Sequence, residues 1–318
     1  MGYIRRASHA GSWYSSEPAE LGSQLQGWLD NARGRSAGSS ATVARAVIAP
    51  HAGYSYSGET AAYAYVNLNP AQVKRVFIMG PSHHIYLRGC AVSTATKLRT
   101  PLRDLEVDSV VTNSLLATGS FTEMGREVDE DEHSIELHLP YIAKVLGEAE
   151  YKVVAIMVGS TSEAQDKAYG ELLAPYLSDP GNFFVISSDF CHWGSRFRYQ
   201  PHDSARGPIH AYIRWLDHEG MSLIEALDLK GFYSYLREYG NTICGRHPIC
   251  TFMQAMLAFQ RSTPEPPEAQ FGYRPLLCTI QPPCAFFLNP APVSTICLTL
   301  DQMDSANPTN CLQRITSA

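Results

Sequence analysis

Three short apolar runs in this chain each stop at residues able to bind a metal or move protons. Ala46-Val47-Ile48-Ala49 stops at Pro50-His51-Ala52-Gly53-Tyr54. Val76-Phe77-Ile78-Met79 stops at Gly80-Pro81-Ser82-His83-His84. Phe183-Phe184-Val185-Ile186 stops at Ser187-Ser188-Asp189-Phe190-Cys191-His192-Trp193. Neutral imidazole is the commonest protein metal ligand, so two strand-end histidines suggest a metal; a complete site needs at least three ligands. Taken alone, His51 is accounted for by ring nitrogens bonded to nearby carbonyls. His83 and His84 are neighbours whose side chains diverge, so one faces a site while the other packs or meets water. Asp189 and His192 lie three apart; on a helical turn they share a face and make a carboxylate-oriented imidazole. Asp189 is equally suited to capping that turn through backbone N–H groups. Phe190 and Trp193 read as pocket walls.

Two further stretches carry suitable groups. In Asp129-Glu130-Asp131-Glu132-His133-Ser134-Ile135-Glu136-Leu137-His138, the acidic residues at a helix start favour the macrodipole, which accounts for most of them. His133 and Glu136 stand one turn apart, within reach of a pocket. This is not the His-Glu-x-x-His zinc motif, because no two histidines here are four apart. In Asn241-Thr242-Ile243-Cys244-Gly245-Arg246-His247-Pro248, Cys244 precedes a glycine near Arg246 and a helix start, a setting that stabilises a thiolate. A buried, inert thiol is the competing reading, and it is the one given to Cys90 and Cys250.

The elements that must position these groups alternate. A helix with Leu21, Leu25, Trp28 and Leu29 on one face follows Ser16-Glu17-Pro18, and the Gly/Ser-rich stretch from Gly34 to Ser40 leads into a strand ending at Ala49. Helices are expected over about 58–66, 133–146 and 162–177, with strands over 75–79, 152–158 and 183–187. That order implies a three-layer α/β/α sandwich around a largely parallel or mixed sheet. In such sheets ligands bind outside the carboxyl ends of the strands. The later part reads as helices: one ending at Gly220, a second begun by the capping box Ser222-Leu223-Ile224-Glu225, and a third from Pro248 to about Phe259.

Composition excludes several classes. At 318 residues and 45% hydrophobic, the chain can bury a sizeable core. A net charge of −6 argues against a nucleic-acid partner. No apolar stretch suggests a transmembrane segment, and Met1-Gly2-Tyr3-Ile4-Arg5-Arg6 lacks the apolar core of a signal peptide, so a cytoplasmic protein is expected. The cysteines form no Cys-x-x-Cys pair, which fits reduced thiols. Residues 1–262 read as one α/β domain. From Thr263 the character changes: nine of twenty prolines lie from Pro264 onward, and beyond Gln270 only Arg274, Asp301, Asp304 and Arg314 are charged. Residues 263–318 are expected to be a Pro-rich, poorly ordered tail.

Taken together, Ala7-Ser8-His9-Ala10-Gly11-Ser12-Trp13-Tyr14, the Pro50–Tyr54 turn, Gly80–His84, Asp129–Glu136, Ser187–Gly194 and Asn241–Pro248 resemble the Memo family (mediator of ErbB-receptor-driven cell motility). The resemblance spans six ordered motifs over about the first 260 residues. It implies a dioxygenase-like fold, related to the class III extradiol non-haem iron enzymes. It also implies a metal site falling by position on His51, His83 and Cys244, with Asp189 and His192 beside it; His192 or His133 is the candidate for proton transfer. Replacing the carboxylate of a two-histidine iron site by thiolate softens it, so copper suits it as well as iron. The family further implies a role in receptor signalling, cell motility and the microtubule cytoskeleton, and a phosphotyrosine-containing receptor segment held at Trp13, Tyr56 and His192 in the same pocket. Phosphate recognition usually relies on arginine clusters, and these motifs offer few beyond Arg246. An active copper- or iron-dependent oxidoreductase is the alternative, and a zinc hydrolase with Asp189 or Glu136 as base comes third. The family's usual final segments are not found after Gln270, which implies an uncovered sheet edge if their strand belongs to the central sheet.

Overall fold

The structure, a computed structural model, describes residues 2–36, 44–262 and 286–288. In chain order the elements are β1 (Ile4–Arg5), α1 (Pro18–Ser36), β2 (Ala46–Ala49), α2 (Tyr54–Tyr65), β3 (Arg75–Pro81), β4 (Cys90–Ser93), β5 (Lys97–Leu98) and β6 (Leu105–Glu106). They continue with α3 (Ser109–Ala117), β7 (Phe121–Met124), α4 (Arg126–Asp131), α5 (His133–Glu136), α6 (Leu139–Leu146), β8 (Lys152–Val158), α7 (Glu163–Leu177) and β9 (Asn182–Ser187). Helices α8 (Ile209–Glu225), α9 (Leu229–Tyr239) and α10 (Arg246–Ser262) and strand β10 (Phe286–Leu288) complete them.

The central sheet runs β10-β2-β9-β3-β8-β4-β7, and a small sheet, β1-β5-β6, stands apart. Neighbours from β2 to β8 are parallel, whereas β4 runs antiparallel to β8 and β10 antiparallel to β2. The sheet is therefore mixed, as its alternating elements imply. Both faces of the strands are apolar because both are covered. Val47, Val76, Ile78, Val153 and Val185 join the core formed with α1, α2 and α6. Their sequence neighbours Ile48, Phe77, Met79, Val154 and Ile186 join a second core with α7 to α10. A period of two thus splits each strand between two layers of helices.

Three expectations change. The single helix over 133–146 is two, because Pro140 lacks an N–H and is accommodated only in the first turn of a new helix, α6. The expected stop at Gly220 and start at Ser222 lie inside α8, which continues to Glu225. Gly220 is there for packing: a Cβ would stand 2.9 Å from the Tyr235 ring on α9. The real break comes at Leu227, with φ of 53°, and Asp228 then caps α9 by accepting from Gly231 N–H. Finally, the β2 edge is paired: Phe286, Phe287 and Leu288 register against Ile48, Val47 and Ala46. Otherwise the expected tail, 263–318, lies outside the described residues.

For the site, the important consequence is adjacency. β9 sits between β2 and β3, with Ala49 opposite Ser187 and Met79 opposite Ile186. The three chemical strand ends therefore open side by side at one edge of the sheet.

Candidate metal centre

Each histidine at this edge has one ring nitrogen held from behind. Ser187 Oγ donates to the Ser134 carbonyl at 2.7 Å, so its lone pairs are left to accept from His51 Nδ1–H at 2.6 Å. His83 Nδ1 donates to Glu132 Oε1 at 2.9 Å, and the His83 backbone N–H donates to Glu132 Oε2 at 2.7 Å. His192 Nδ1 donates to the Thr242 carbonyl at 2.9 Å, and its backbone N–H donates to Thr242 Oγ1 at 2.7 Å. With Nδ1–H donated to its partner, the remaining lone pair of each ring lies on Nε2. Backing of this kind fixes the tautomer and aims the ring in metal sites.

Cys244 arrives from the far side. The loop before α10 lies against the end of β9 so closely that a Cβ on Gly245 would collide with Ser188 and the Ser187 carbonyl. That approach sets Cys244 Sγ 3.2 Å from His51 Nε2, while Asp189 N–H donates to the sulfur at 3.3 Å. Asp189 Oδ1 accepts from the His51 backbone N–H at 3.1 Å, and Oδ2 stands 3.7 Å from His51 Nε2. One donor atom from each of His51, His83 and Cys244 lies within 4.8 Å of the other two. The same holds for Asp189, His192 and Cys244, and for His83, Glu132 and His133.

Burial sets the charges. His51 is 2% exposed. Burial first, then the neighbouring His83, pushes its pKa well below 6.5. Burial first, then His51 and His83, lowers His133 to about 3. The Cys244 thiol is pushed up by burial and then by the Asp189 carboxylate, so the expected thiolate stabilisation from Arg246 is absent. The Arg246 guanidinium is turned to the Ile243 carbonyl instead. Burial works against a charged Glu132, but hydrogen bonds from His83 and Ser134 outweigh it and hold this carboxylate down to about 2. His133 Nδ1 is buried without a hydrogen-bond partner, and its ring stacks on His83 at 4.4 Å. Imidazole nitrogens meeting a soft sulfur, with His51 buried and His83 exposed at the mouth, fit a late transition metal, and coordination would supply the thiol with the counter-charge it lacks.

Other expected residues fall around this cluster. Trp13 lies over His133, ring centroids 4.4 Å apart, and is 36% exposed. Tyr56 is exposed on the first turn of α2, beside Gly53, and Phe197 packs edge-on against His192. Of the neighbouring pair, both exposed, His83 joins the cluster and His84 lies with its ring edge toward His133.

The acidic stretch does more than favour a helix dipole. Asp129 and Glu136 are buried around a fully buried Arg5, whose Nε lies 3.0 Å from Asp129 Oδ1 and Nη1 2.6 Å from Glu136 Oε2. Glu136 also accepts from the His9 backbone N–H and the Tyr14 hydroxyl, both at 2.8 Å, so it stands behind the pocket wall rather than in it. Only Asp131 of the four acidic residues is exposed. Arg5, Glu132, Ser187 and Thr242 were not singled out from sequence. A polar residue beside a histidine was the only available signal for Glu132, and one at a strand end for Ser187; Thr242 offered neither.

A two-layer-covered mixed sheet with a His/Cys/carboxylate pocket at its strand ends defines the class of protein. Residues 5–266 match the family described as Memo-like protein. Protein MEMO1 of Homo sapiens is 48% identical over 260 residues, 81% of this chain and 86% of the relative. Protein MEMO1 of Xenopus laevis is 50% identical over the same shares. The Caenorhabditis elegans protein memo-1 homolog is 49% identical over 270 residues, covering 85% of this chain and 76% of that one. This chain belongs to the Memo family.

Proposed function

We propose that the chain is a metal-binding protein whose pocket takes copper or iron on His51, His83 and Cys244, with Asp189, His192 and His133 beside the ion. The observation that carries this reading is that a ring nitrogen of His51, one of His83 and the Cys244 sulfur lie within 4.8 Å of one another, with Nδ1 of both rings held by a hydrogen bond. Two imidazoles and a thiolate suit copper and iron alike. Bound there, the ion would supply one-electron chemistry. The protein's part is to hold the donors and to exclude water from His51.

The exposed Trp13 and Tyr56 rings with His192 at the same mouth support a peptide-binding rim, and a phosphotyrosine-containing receptor segment is the proposed occupant. Family membership supports a signalling role in cell motility and the cytoskeleton. Among the described residues no helix is long and apolar enough to cross a membrane; the proposed location is cytoplasmic. The second reading, an active copper- or iron-dependent oxidoreductase, draws on His133, whose Nδ1 has no hydrogen-bond partner among the described residues.

The test compares wild type with Cys244→Ala for copper and iron content, oxygen consumption with a reductant, and phosphopeptide affinity. Metal retained by wild type and lost by the variant is expected. A wild-type protein that takes up neither metal while binding the phosphopeptide normally would sink the metal reading. Metal-dependent oxygen consumption abolished by the substitution would favour the oxidoreductase.

A further inference from the structure

The layer of helices α1, α2 and α6 is filled with tyrosines, whereas the central stack on the other face of the sheet is phenylalanine, Phe77 on Phe184 at 4.6 Å and Phe184 on Phe252 at 5.3 Å. Ring centroids lead in file from Trp28 to Tyr54 at 6.0 Å, to Tyr141 at 5.6 Å, to Tyr65 at 4.7 Å and to His138 at 6.3 Å. Tyr54, Tyr141, Tyr65 and His138 are all buried, and His51 of the metal centre is close enough for its charge to act on His138. At the other end Trp28 is partly exposed on α1, so close over α2 that a Cβ on Gly58 would strike its ring.

Packing alone does not explain the polar ends of this file. A buried phenol needs only some acceptor for its hydroxyl, and a carbonyl suffices for Tyr54, which donates to Leu137 at 2.7 Å, and for Tyr141, which donates to Gly58. Tyr65 instead donates to His138 Nδ1 at 2.7 Å, and that imidazole is buried with its Nε2 lacking any hydrogen-bond partner among the described residues. Tyrosine yields an electron readily only when its proton can leave as well. An imidazole can take that proton; a carbonyl cannot. Tryptophan needs no proton acceptor. Tyr65 and Trp28 are therefore the two places where an electron vacancy can rest, and Tyr141 and Tyr54 are the rings that bridge them.

We propose that Trp28, Tyr54, Tyr141 and Tyr65 form an electron path from the surface to the metal centre, used to reduce peroxide there, with His138 as the proton acceptor of Tyr65. The path rests on the metal reading above and adds how electrons reach the ion. In each pass, hydrogen peroxide reacting in the pocket draws one electron from Tyr65 while the phenolic proton moves to His138 Nδ1. An electron from Trp28 crosses the Tyr54 and Tyr141 rings, the proton returns to Tyr65, and a soluble one-electron donor of the ascorbate class refills Trp28. Two passes turn one hydrogen peroxide into two waters, the two protons coming from the two ascorbate anions as they become radicals. Cys244 and the histidines are thereby spared oxidation.

The experiment mixes the copper-loaded full chain with hydrogen peroxide, follows radicals by freeze-quench electron paramagnetic resonance, and locates spin-trap adducts by peptide mass spectrometry, with copper content measured alongside. Wild type should show a tryptophanyl signal and an adduct on Trp28, both erased by ascorbate. Tyr65→Phe should lose the Trp28 adduct and raise Cys244 oxidation several-fold. Tyr141→Phe, which keeps the bridging ring, should match wild type, and Tyr141→Leu should not. Trp28→Phe should leave a tyrosyl signal that survives ascorbate several-fold longer, while Tyr169→Phe, off the path, changes nothing. Thermal unfolding checks each variant, and Trp28→Phe decides if Tyr65→Phe does not fold. Copper-loaded wild type without a Trp28 adduct, the same adduct in Tyr65→Phe, or adducts confined to the exposed Tyr56 and Tyr86 would each overturn the path and leave the metal reading standing. A wild type that takes up no copper overturns the path, and overturns the metal reading if it takes up no iron either.

Discussion

Two clusters drawn from the same short stretch, Asp129 to His138, use the same residue types to opposite ends. On one side Asp129 and Glu136 surround the guanidinium of Arg5, with Tyr3, Ser93, His9 and Tyr14 accounting for further carboxylate lone pairs. On the other, Glu132 anchors His83, and His133 is left with a nitrogen that has no hydrogen-bond partner, beside the rings of His51 and His83. Buried acids and histidines are thus no mark of a functional site in themselves. What separates the clusters is whether lone pairs are left over once the internal hydrogen bonds are counted. The Arg5 cluster is closed and should act on stability; the histidine cluster is open and should act on binding.

The largest expected effect tests the closed side. Arg5→Met removes the cation from between two buried carboxylates, and breaking a buried pair by deleting one partner costs about 3–5 kcal/mol. Urea unfolding monitored by circular dichroism should show that loss in midpoint. A loss below about 1 kcal/mol would mean the carboxylates find other partners, and the contrast would fail.

Next comes the open side. Glu132→Gln keeps an acceptor for His83 but removes the charge behind the ring, and changes of this kind lower metal affinity by about 10- to 100-fold. Competition against a chromophoric chelator measures it. Ser187→Ala, which takes away the acceptor of His51 Nδ1, should fall near the lower end of that range. If either substitution instead leaves affinity intact, the backing hydrogen bonds do not serve the ion.

Acid separates the clusters by the window in which each responds. His133 and His138 are both held neutral by burial, with pKa values of about 3. A histidine lowered from 6.5 in the folded state binds its proton only on unfolding. Stability is then complete above pH 6.5 and drains away as pH falls toward 3, by at most about 1.4 kcal/mol per pH unit for each group. Glu136 is lowered instead: burial opposes its charge, but His9 and Arg5 prevail. Its contribution is present above the ordinary carboxylate value of 4.5 and is lost only as pH falls below it. Urea midpoints should therefore begin to decline between pH 6.5 and 5, before Glu136 responds and against a smaller opposing gain from Asp217, whose carboxyl burial raises to about 7, and His138→Leu should flatten that early decline. A midpoint constant down to pH 5 would contradict the burial of neutral histidines.

How far this was legible follows from the range of each interaction. The strand ends at His51, His83 and Asp189 could be read because an apolar run and the group that ends it are contiguous. Their convergence follows from parallel-sheet topology. Cys244 could not be chosen among eight cysteines by spacing; only the family resemblance selected it. Its closeness to His51 depends on a contact across 193 residues, made possible by the missing side chain at Gly245. Arg5 was invisible for the opposite reason. A charged residue near the chain start normally faces solvent, and its burial depends on carboxylates more than 120 residues away. Gly220 misled because glycine ends helices and also lets them approach, and only the Tyr235 ring distinguishes the two.

The smallest effect sharpens the comparison most economically. Asp131 lies in the same acidic run as Asp129, Glu130 and Glu132, on the same short helix α4 or at its end, yet it alone is exposed. If the macrodipole were the purpose of the run, Asp131→Asn would cost about 0.3–1 kcal/mol at low salt, and the cost would shrink as salt is added. If the run exists for its buried hydrogen bonds, the substitution should fall within about 0.5 kcal/mol of zero at every ionic strength and leave metal affinity unchanged. Asp131 also sits at the last turn of α4, the negative end of that helix's dipole, where a carboxylate has nothing to gain. The second outcome is therefore expected, and urea unfolding at low and high salt decides it.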